Sequence, residues 1–472
     1  MSPTVSNDPL HVAIIGGGIT GVNLALGLQA RNVSYTIYER STGFREIGAG
    51  IGFSPNAERA MAALNPKVLA TFKRLANPNG EDYFRWIDGY ETGDLIYQLH
   101  VGKDGFQGGL RSTFLEGWAK LIPPTAVHFN KQLDSITEPN TPDSSKLQLH
   151  FTDGTTATAD AIIGCDGIHS RVRQLLFPTS GQAPSPNSPS PAVHPTYTHK
   201  FCFRALAPMP AAIAALGEAN ATTRFMHNGP GAHLITYPVG NNTLLNILAV
   251  ISDPPSHTTD PNTTTTSTTT TQKNAWPHPR HTTPGHKREA EQAFAHWNAT
   301  ARAIVGLFPE SMDKWALFDM AEHPAPYYAR GRVGVAGDAA HAAGPHLGAG
   351  AGMGVEDALV LAEVLAAVAL SLSEGDGDGD GLGEGNERKD EGKKDLLEKA
   401  LQVYNEVRYS RTQWVVQATG EACDLFQWRD ETVARNPESF GREITERFHK
   451  VWKYDVDGMV EEALAKLRAP AS

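Results

Sequence analysis

The amino-acid sequence predicts an α/β protein: a Rossmann-like nucleotide-binding domain with an inserted antiparallel-sheet substrate domain and a C-terminal helical segment. Three observations predict this architecture. A strand, a glycine turn, a helix and a second strand follow one another over residues 11–40, apolar and polar residues alternate over 195–252, and helical periodicity runs through 395–465. The 472 residues are enough for two or three domains.

Composition argues against several classes of function. The net charge of −11 and the lack of a Lys/Arg block disfavour nucleic-acid binding. The N-terminus has no secretory signal pattern, and the longest apolar stretch, 358–372, contains Glu363 and is too short to span a bilayer. Cys165, Cys202 and Cys423 form neither a disulfide framework nor a metal-ligand spacing. We therefore expect a cytoplasmic monomer or homodimer with buried thiols, no metal site, and no membrane or nucleic-acid partner.

The first strong motif opens the chain. His11 to Ile15 is a short apolar run rich in β-branched residues, as in a buried parallel strand. Gly16, Gly18 and Gly21 then form G-x-G-x-x-G: the first permits a tight turn, the second lets a pyrophosphate approach the backbone, and the third allows close packing of helix on strand. A helix from Thr20 to about residue 30 directs its free N–H groups at that pyrophosphate.

An acidic residue completes this motif. The second strand, Ser34 to Tyr38, ends at Glu39, where an acid accepts hydrogen bonds from an adenosine ribose, and Arg40 follows in the same predicted site. These residues predict binding of either NAD or FAD. The alternative is a glycine-rich turn without a ligand.

A second glycine run, FREIGAGIGFSPNAERAMAAL, occupies residues 44–64. Gly48, Gly50 and Gly52 predict a loop that can lie flat against a ligand, and 56–64 predicts a helix started by Ser54-Pro55. We interpret this loop as a cover over the cofactor. The alternative is an ordinary loop before a helix.

Two further helix starts carry charged residues. The helix predicted over 109–122 begins at Arg111, which opposes the helix dipole and so indicates an anionic partner such as a cofactor phosphate, or else a plain surface arginine. In TTATADAIIGCDGIHSRVRQLL (155–176), a buried strand over 161–164 leads through Asp166 into a helix over 169–176. This unit adds an edge to the same sheet, and Asp166 either caps the helix or contacts the ligand.

The stretch 195–252 predicts half-buried antiparallel strands that can cover a pocket. Arg204 lies within FCFRA on the first strand, where a charge is out of place unless it faces a pocket or an acid. Tyr237, before Pro238, is expected to end the third strand. His233 on that strand is interpreted as a structural histidine.

The second strong motif is GRVGVAGDAAHAAGPHLGAGAGMGVEDALVLA, residues 331–362. A strand over 333–336 leads to Asp338, at the strand end where ligands bind in parallel α/β sheets. A glycine-rich loop through Gly354 and a long helix starting near Met353 would stabilise negative charge on a flat ring. Two glycine-rich sites far apart in the chain suit one long dinucleotide. The alternative is two unrelated turns.

Low-complexity inserts and a helical end complete the chain. Residues 254–287 are predicted to be a disordered loop and 373–394 a flexible acidic linker. The linker also fits the EF-hand spacing from Asp376 to Glu387, so calcium binding is its alternative. We expect 395–465 to be helical and to support the cofactor domain, with Arg408 and Arg411 on either a buttressing or a solvated face.

Three motifs together resemble those of the single-component FAD-dependent aromatic hydroxylases, the salicylate-hydroxylase-like group that shares the fold of para-hydroxybenzoate hydroxylase. They are GGGITG with Glu39, IGCDGIHSRVR, and GDAAHAAGPHLGAGAGMGVEDA. The resemblance covers nearly the whole chain except the inserts, and it is nearest to fungal hydroxylases of aromatic polyketides. It implies FAD as cofactor and NAD(P)H as co-substrate, without a separate NAD(P)H domain.

The resemblance also implies cofactor contacts. Glu39 would hold the adenosine ribose, Gly52 would contact FAD from the loop above it, and Arg111 would lie beside the phosphates and the ribityl chain. Asp338 would hydrogen-bond the ribityl chain. Gly350 and Ala351 would lie in the loop at the isoalloxazine, although alanines extend that loop relative to the family pattern.

At the substrate, Arg204 and Tyr237 match the pair that the polyketide hydroxylases use: Arg204 would hold a phenolate and Tyr237 would orient it. The implied reaction uses NAD(P)H and O₂ to hydroxylate a phenolic substrate, with dearomatisation or decarboxylation as variants, in fungal secondary metabolism. Alternatives are a catabolic salicylate-type hydroxylase, a reductase or halogenase of the same fold, and a flavin-binding protein without turnover. Neither Trp276 nor Trp297 lies in the W-x-W-x-I signature of halogenases.

The expected domain boundaries follow from these motifs. They are 1–80, 111–180 and 331–372 for the FAD-binding domain, 81–110 and 181–330 for the substrate domain, 373–394 for the linker and 395–472 for the C-terminal helices.

Overall fold

The computed structural model describes residues 10–44, 50–78, 82–102, 105–138, 146–177, 191–253, 276–278, 280–374 and 384–470. The strands are β1 (His11–Ile15), β2 (Ser34–Tyr38), β3 (Gly50–Phe53), β4 (Tyr83–Asp88), β5 (Leu95–His100), β6 (Gln107–Leu110), β7 (Val127–His128), β8 (Leu133–Thr137), β9 (Leu147–Phe151), β10 (Thr156–Ala159), β11 (Ala161–Gly164), β12 (Thr196–Pro208), β13 (Phe225–Gly229), β14 (Ala232–Val239), β15 (Leu244–Ser252), β16 (Thr282–His286), β17 (Ser311–Asp319), β18 (Ala329–Arg330) and β19 (Val333–Val335). The α-helices are α1 (Ile19–Ala30), α2 (Pro55–Leu64), α3 (Pro66–Leu75), α4 (Arg111–Ala119), α5 (Arg171–Leu176), α6 (Met209–Leu216), α7 (Glu218–Thr222), α8 (Lys287–Ala293), α9 (Ala299–Gly306), α10 (Asp338–His341), α11 (Gly350–Glu374), α12 (Glu384–Phe426), α13 (Glu431–Ala434), α14 (Pro437–Trp452) and α15 (Val456–Arg468).

A six-stranded sheet forms the nucleotide-binding layer, with the strand order β18-β19-β11-β1-β2-β7. All neighbouring strands are parallel except β18 and β19. The central strands β1 and β11 are almost wholly buried, which explains their unbroken apolar sequences. Helices α1 and α11 pack against each other beside this sheet. The predicted Rossmann-like layer is confirmed.

An eight-stranded sheet forms the second layer, in the order β16-β17-β12-β15-β14-β13-β4-β5. It is antiparallel except where β13 runs parallel to β4. Its side chains alternate between two faces, as a pleated strand requires. One face, with Phe203 and Ile247, packs on residues of α8 and α9, and the other face, with Arg204 and Leu248, lines a cavity against the nucleotide-binding layer.

Smaller sheets and the C-terminal helices complete the fold. Strands β8 to β10 form a three-stranded sheet, and β3 pairs with β6. The assignment of 81–110 to the substrate sheet is therefore wrong at β6, which pairs with the glycine loop before α2. Helix α12 packs along α11, and α14 packs against β5. Among the described residues, no helix is both long and apolar enough to cross a bilayer.

The two inserts are shorter than predicted. Residues 282–286 form β16, so the prediction of a disordered loop is wrong there. This segment becomes an edge strand because it pairs with β17, and an edge strand tolerates Pro284. The prediction of a flexible acidic linker is wrong at 384–394, where α12 has already begun. Residues 254–275, 279 and 375–383, which include most of the EF-hand spacing, lie outside the described residues.

Two predicted element ends also differ. Helix α11 begins at Gly350, so Gly350 and Ala351 lie in its first turn and not in a loop. Glycine disfavours a helix by up to ~1 kcal/mol, but a Cβ at Gly352 would lie only 3.1 Å from Ala57 Cβ, so close packing on α2 requires small residues there.

Tyr237 does not end its strand, because β14 continues through Pro238 to Val239. Pairing between β14 and β13 stops at Thr236, so the missing N–H of Pro238 interrupts no ladder on that side. Tyr237 is therefore held within a strand, directly opposite Asn246 of β15.

Candidate active site

One cavity of ≈ 890 Å³ lies between the two layers, and both glycine-rich motifs border it. The predicted site residues that line it are Gly16, Gly18, Glu39, Arg40, Gly52, Arg111, Asp166, Arg204, Tyr237, Asp338, Gly350 and Ala351. Gly21 does not line it, because it faces the carbonyl of Gly16 in the turn. The two motifs therefore meet at one site although more than 300 residues separate them.

The first glycine motif has the geometry that its spacing predicts. Gly16 has φ +101°, and a Cβ there would lie 2.5 Å from the carbonyl oxygen of Cys165. A Cβ at Gly21 would overlap the Gly16 carbonyl oxygen, so helix and turn are in contact. A Cβ at Gly18, by contrast, meets no atom within 4 Å. Gly18 is the N-cap of α1 and leaves space for a phosphate at the positive end of that helix.

Glu39 lies beside this turn at the end of β2. Its Oε2 accepts a hydrogen bond from Gly17 N at 2.7 Å, and its Oε1 accepts one from Ser41 N at 2.7 Å. These bonds hold the carboxylate at the cavity wall, where a ribose hydroxyl of a dinucleotide can reach it. Arg40 and Arg111, the first residue of α4, also line the cavity and can supply positive charge for phosphates.

Asp166 caps α5. Its Oδ2 accepts hydrogen bonds from Arg171 N at 2.7 Å and from Val172 N at 3.2 Å, and Ser170 Oγ donates to its Oδ1 at 2.5 Å. Burial raises the pKa of Asp166, against the effect of these hydrogen bonds. Asp166 therefore has the capping role that was one of its two predicted roles, and it also borders the cavity.

Asp338 begins α10 at the carboxyl end of β19, next to α5. The buried Arg173 of α5 donates from Nη1 to the Ala339 carbonyl at 2.9 Å and from Nη2 to the Ile168 carbonyl at 2.6 Å. Burial lowers the pKa of Arg173 to about 10, so it stays charged at neutral pH. Arg173 thus ties the segment before α5 to the second motif through the backbone, a role that the sequence did not reveal.

The inserted sheet forms the opposite wall. Arg204 of β12 and Tyr237 of β14 both face the cavity, with Asn246 of β15 beside them. The Arg204 guanidinium lies 4.8 Å from the ring centroid of Trp315 on β17. Asn246 Oδ1 accepts a hydrogen bond from Gly50 N at 2.9 Å, which joins this sheet to the glycine loop of β3. Burial raises the pKa of Tyr237 to about 12, so its hydroxyl keeps its proton at neutral pH.

A second arginine on this wall, Arg224, was missed from the sequence. It immediately precedes β13, is 3% exposed, and lines the cavity among the rings of Phe84, Phe106 and Tyr237. The signal was available, because an arginine beside an apolar strand is as unexpected in TTRFMH as in FCFRA.

A buried ionic network supports the second motif from behind. Arg408 donates to Asp357 Oδ1 at 2.8 Å and to Glu356 Oε2 at 2.7 Å, and Arg411 also bonds Glu356. His341 Nε2 lies 2.5 Å from Asp357 Oδ2, which also accepts from Gly337 N at 2.9 Å. The solvated-face alternative for Arg408 and Arg411 is therefore wrong, because both guanidinium groups bind acids of α11.

His233 is buried, with its Nδ1 lacking a hydrogen-bond partner among the described residues. It lies with His346 and Cys423 in a group whose donor atoms are within 4.8 Å of one another. Burial lowers the pKa of His233 to about 3 and raises that of the Cys423 thiol. His233 and Cys423 are thus uncharged at neutral pH, and His346 also lines the cavity.

The cavity fits a dinucleotide carrying a flat ring. The space at Gly18, the helix start behind it and Glu39 suit an adenosine diphosphate at one end. The start of α11 at Gly350 and Ala351 suits negative charge on a ring at the other end, below Arg204 and Tyr237.

Comparison with known proteins agrees with this geometry. The family described as FAD binding domain matches residues 9–186 and 241–383. The FAD-dependent monooxygenase pigN of Monascus ruber is 45% identical over 472 residues, spanning 98% of both chains. Salicylate hydroxylase asL1 of Sarocladium schorii is 40% identical over 475 residues, spanning 96% of this chain and 90% of that one.

Solved structures are similar over the whole chain. A salicylate hydroxylase substrate complex has a TM-score of 0.77 and 29% identity, covering 99% of this chain and 100% of that one. Klebsiella pneumoniae HpxO, complexed with FAD and uric acid, has a TM-score of 0.65 at 18% identity and covers 97% of both chains, which indicates a shared fold.

Proposed function

This chain belongs to the FAD binding domain family and is an FAD-dependent monooxygenase; from that premise we propose that it hydroxylates a phenolic aromatic substrate with NAD(P)H and O₂. The reaction belongs to fungal secondary metabolism, with an aromatic polyketide as the substrate and dearomatisation as one variant. The convergence of Arg204 and Tyr237 on the cavity wall opposite the glycine motifs supports this proposal.

Cofactor binding is assigned residue by residue. Gly16, Gly18 and the start of α1 would hold the pyrophosphate, and Glu39 would hold the adenosine ribose. Arg40 and Arg111 would contact the phosphates, with Gly52 over the cofactor.

Around the flavin ring, Asp338 would bond the ribityl chain and Asp166 would lie near it. Gly350 and Ala351 would place the positive end of α11 at the ring. Bound FAD, reduced by NAD(P)H, would supply the activation of O₂, with one oxygen atom going to the substrate and the other to water, a chemistry that no side chain of this chain provides.

The protein's own contribution is electrostatic and positional. A guanidinium at Arg204 stabilises a phenolate and so lowers the pKa of the substrate phenol, which makes the ring a better nucleophile. Tyr237 keeps its proton at neutral pH, so it donates a hydrogen bond to the phenolate oxygen and orients the ring. The sheet above the cavity excludes water from the reacting carbon.

Isotope labelling with arginine variants tests the proposal. Phenolic polyketides are screened for NAD(P)H oxidation coupled to incorporation of one ¹⁸O atom from ¹⁸O₂. Arg204→Gln should lower kcat/KM by about 10- to 100-fold, because one charge-assisted hydrogen bond is lost, while FAD content stays unchanged. Arg302→Gln on α9, outside the cavity, is the control. Unchanged turnover in Arg204→Gln, or no substrate-dependent oxygen incorporation, would refute the proposal.

A catabolic salicylate-type hydroxylase is the second candidate. The similarity to a salicylate hydroxylase substrate complex at 29% identity favours it. Conversion of salicylate to a catechol with release of CO₂ would support this candidate and contradict the proposal of a polyketide substrate.

A further inference from the structure

Arg224 lies on the cavity wall with buried N–H groups that no protein atom of the described residues accepts. It is 3% exposed, and its Nε and Nη1 atoms have no hydrogen-bond partner among the described residues. No carboxylate of the described chain forms an ion pair with it. Arg408, which is equally buried, contacts two carboxylates. Arg224 is thus a buried cation without a protein counter-ion.

Aromatic rings surround this cation. Its guanidinium carbon lies 4.2 Å from the Phe106 centroid, 5.2 Å from that of Tyr237 and 5.5 Å from that of Phe84. Ring faces attract a desolvated cation, but this attraction is smaller than the cost of removing a charge from water. The rings therefore hold the guanidinium in place without satisfying its N–H donors.

The guanidinium remains charged. Burial lowers the pKa of Arg224 to about 10, and the nearby Tyr237 acts in the opposite direction. At neutral pH the cavity wall therefore carries a cation with unused donors, directly beside the residue proposed to orient the substrate. A planar guanidinium with two free donors matches the two lone pairs of an anionic oxygen or a carboxylate.

We propose that Arg224 forms a second anion subsite in the substrate pocket, so that the preferred ligand is an arene with two acidic oxygens, one held by Arg204 and the other by Arg224. The second oxygen belongs to a carboxylate or to a further phenolate on the same ring system. This inference rests on the proposed function for the identity of the first oxygen. It adds a specificity-determining residue on β13's N-terminal side, which the family motifs do not contain.

Binding of three small arenes to the FAD-loaded enzyme tests the subsite. Salicylate offers a carboxylate as the second anion, 2,4-dihydroxybenzaldehyde offers an acidic phenol, and 2-methylphenol offers neither. Dissociation constants are measured from the perturbation of flavin absorbance at about pH 8, where the acidic probes are ionised. Arg224→Gln should raise the dissociation constant of salicylate or 2,4-dihydroxybenzaldehyde by about 10- to 100-fold. It should raise that of 2-methylphenol by less than about threefold. The probe that loses more identifies the source of the anion.

Controls separate this role from others. Arg85→Gln, on the neighbouring strand β4 but outside the cavity, should leave all three dissociation constants unchanged. Arg224→Lys keeps the charge and should retain part of the affinity. Arg224→Met should raise the Tm by about 2 °C or more, since an unpaired buried charge is replaced by an apolar side chain.

Several results would overturn the subsite. An equal loss of affinity for all three probes in Arg224→Gln would show that Arg224 is a packing residue. A changed flavin reduction potential with unchanged probe affinity would assign it to the cofactor. Wild-type enzyme that binds 2-methylphenol as tightly as the acidic probes would also contradict it. Failure of the proposed function is distinguishable, because it would appear as absent oxygen incorporation whatever the probe affinities.

Discussion

Asp357 of α11 accepts a hydrogen bond from Arg408 of α12, with 2.8 Å between Arg408 Nε and Asp357 Oδ1, and both side chains are fully buried. The other carboxylate oxygen of Asp357 accepts from Gly337 N, directly before Asp338 at the cavity. Through this one carboxylate α12 helps to fix the position of the second motif. The helices after the insert are therefore part of the site's support and not an independent appendage.

Removal of Arg408 should destabilise the fold strongly. Arg408→Met would leave Asp357 and Glu356 buried with fewer counter-charges, and breaking a buried pair from one side costs about 3–5 kcal/mol. Urea unfolding followed by circular dichroism measures this loss. Arg442→Met, at an exposed position of α14, should change the free energy of unfolding by less than about 0.5 kcal/mol. An equal effect of both changes would refute the role of the network.

The same network makes the protein sensitive to acid. Burial alone would raise the pKa of Asp357, but His341 and Arg408 hold it below its usual value, and Arg408 and Arg411 do the same for Glu356. Groups with lowered folded-state pKa values stabilise the fold above their unfolded pKa of about 4, and this contribution is lost as the pH falls below it.

Unfolding free energies measured as a function of pH test this sign. They should decline as the pH falls below about 4.5, with a slope of up to about 1.4 kcal/mol per pH unit for each proton taken up. Asp357→Asn should have a lower stability at neutral pH and a shallower decline in acid. A decline of the same slope in this variant would show that other carboxylates control acid unfolding.

Substitutions at two glycines of the first motif should have different effects. Gly18→Ala adds a methyl group that meets no protein atom within 4 Å, so we expect a folded protein with at least about tenfold weaker FAD binding. Gly21→Ala overlaps the Gly16 carbonyl and should lower the yield of folded protein. Flavin absorbance per mole and Tm distinguish the two effects. Gly306→Ala at the end of α9, also with open space, is the control, and normal FAD binding by Gly18→Ala would contradict the assignment.

Tyr237→Phe should uncouple the reaction. We propose that the Tyr237 hydroxyl donates the hydrogen bond that orients the substrate, so its loss should lower kcat/KM for hydroxylation by about tenfold while NAD(P)H oxidation continues with release of H₂O₂. The ratio of product to NAD(P)H consumed measures this. Tyr90→Phe, which packs on Trp297 and Trp428 away from the cavity, should keep the wild-type ratio. Full coupling in Tyr237→Phe would remove Tyr237 from the mechanism.

The local parts of the site were predictable from the sequence because short-range sterics control them. Gly16 needs a positive φ and Gly21 needs close contact within one strand–turn–helix unit, so the order of the residues is enough to place them. Strands β1, β2 and β11 were predicted with their observed bounds; β1 and β11 have the apolar sequences of buried parallel strands, and β2 is rich in aromatic and β-branched residues.

Tertiary structure alone decided which distant residues meet. The sequence does not show what Arg224 and Arg408 contact: Arg224 faces the cavity without a counter-ion among the described residues, whereas Arg408 is fully paired. The strand β16 and the early start of α11 likewise depend on partners far away in the chain. Motif spacing by itself therefore determined a nucleotide-binding fold and a dinucleotide cofactor, and the family resemblance distinguished FAD from NAD. The burial and pairing of each charge depended on packing between layers, because desolvation is a property of the whole surrounding structure.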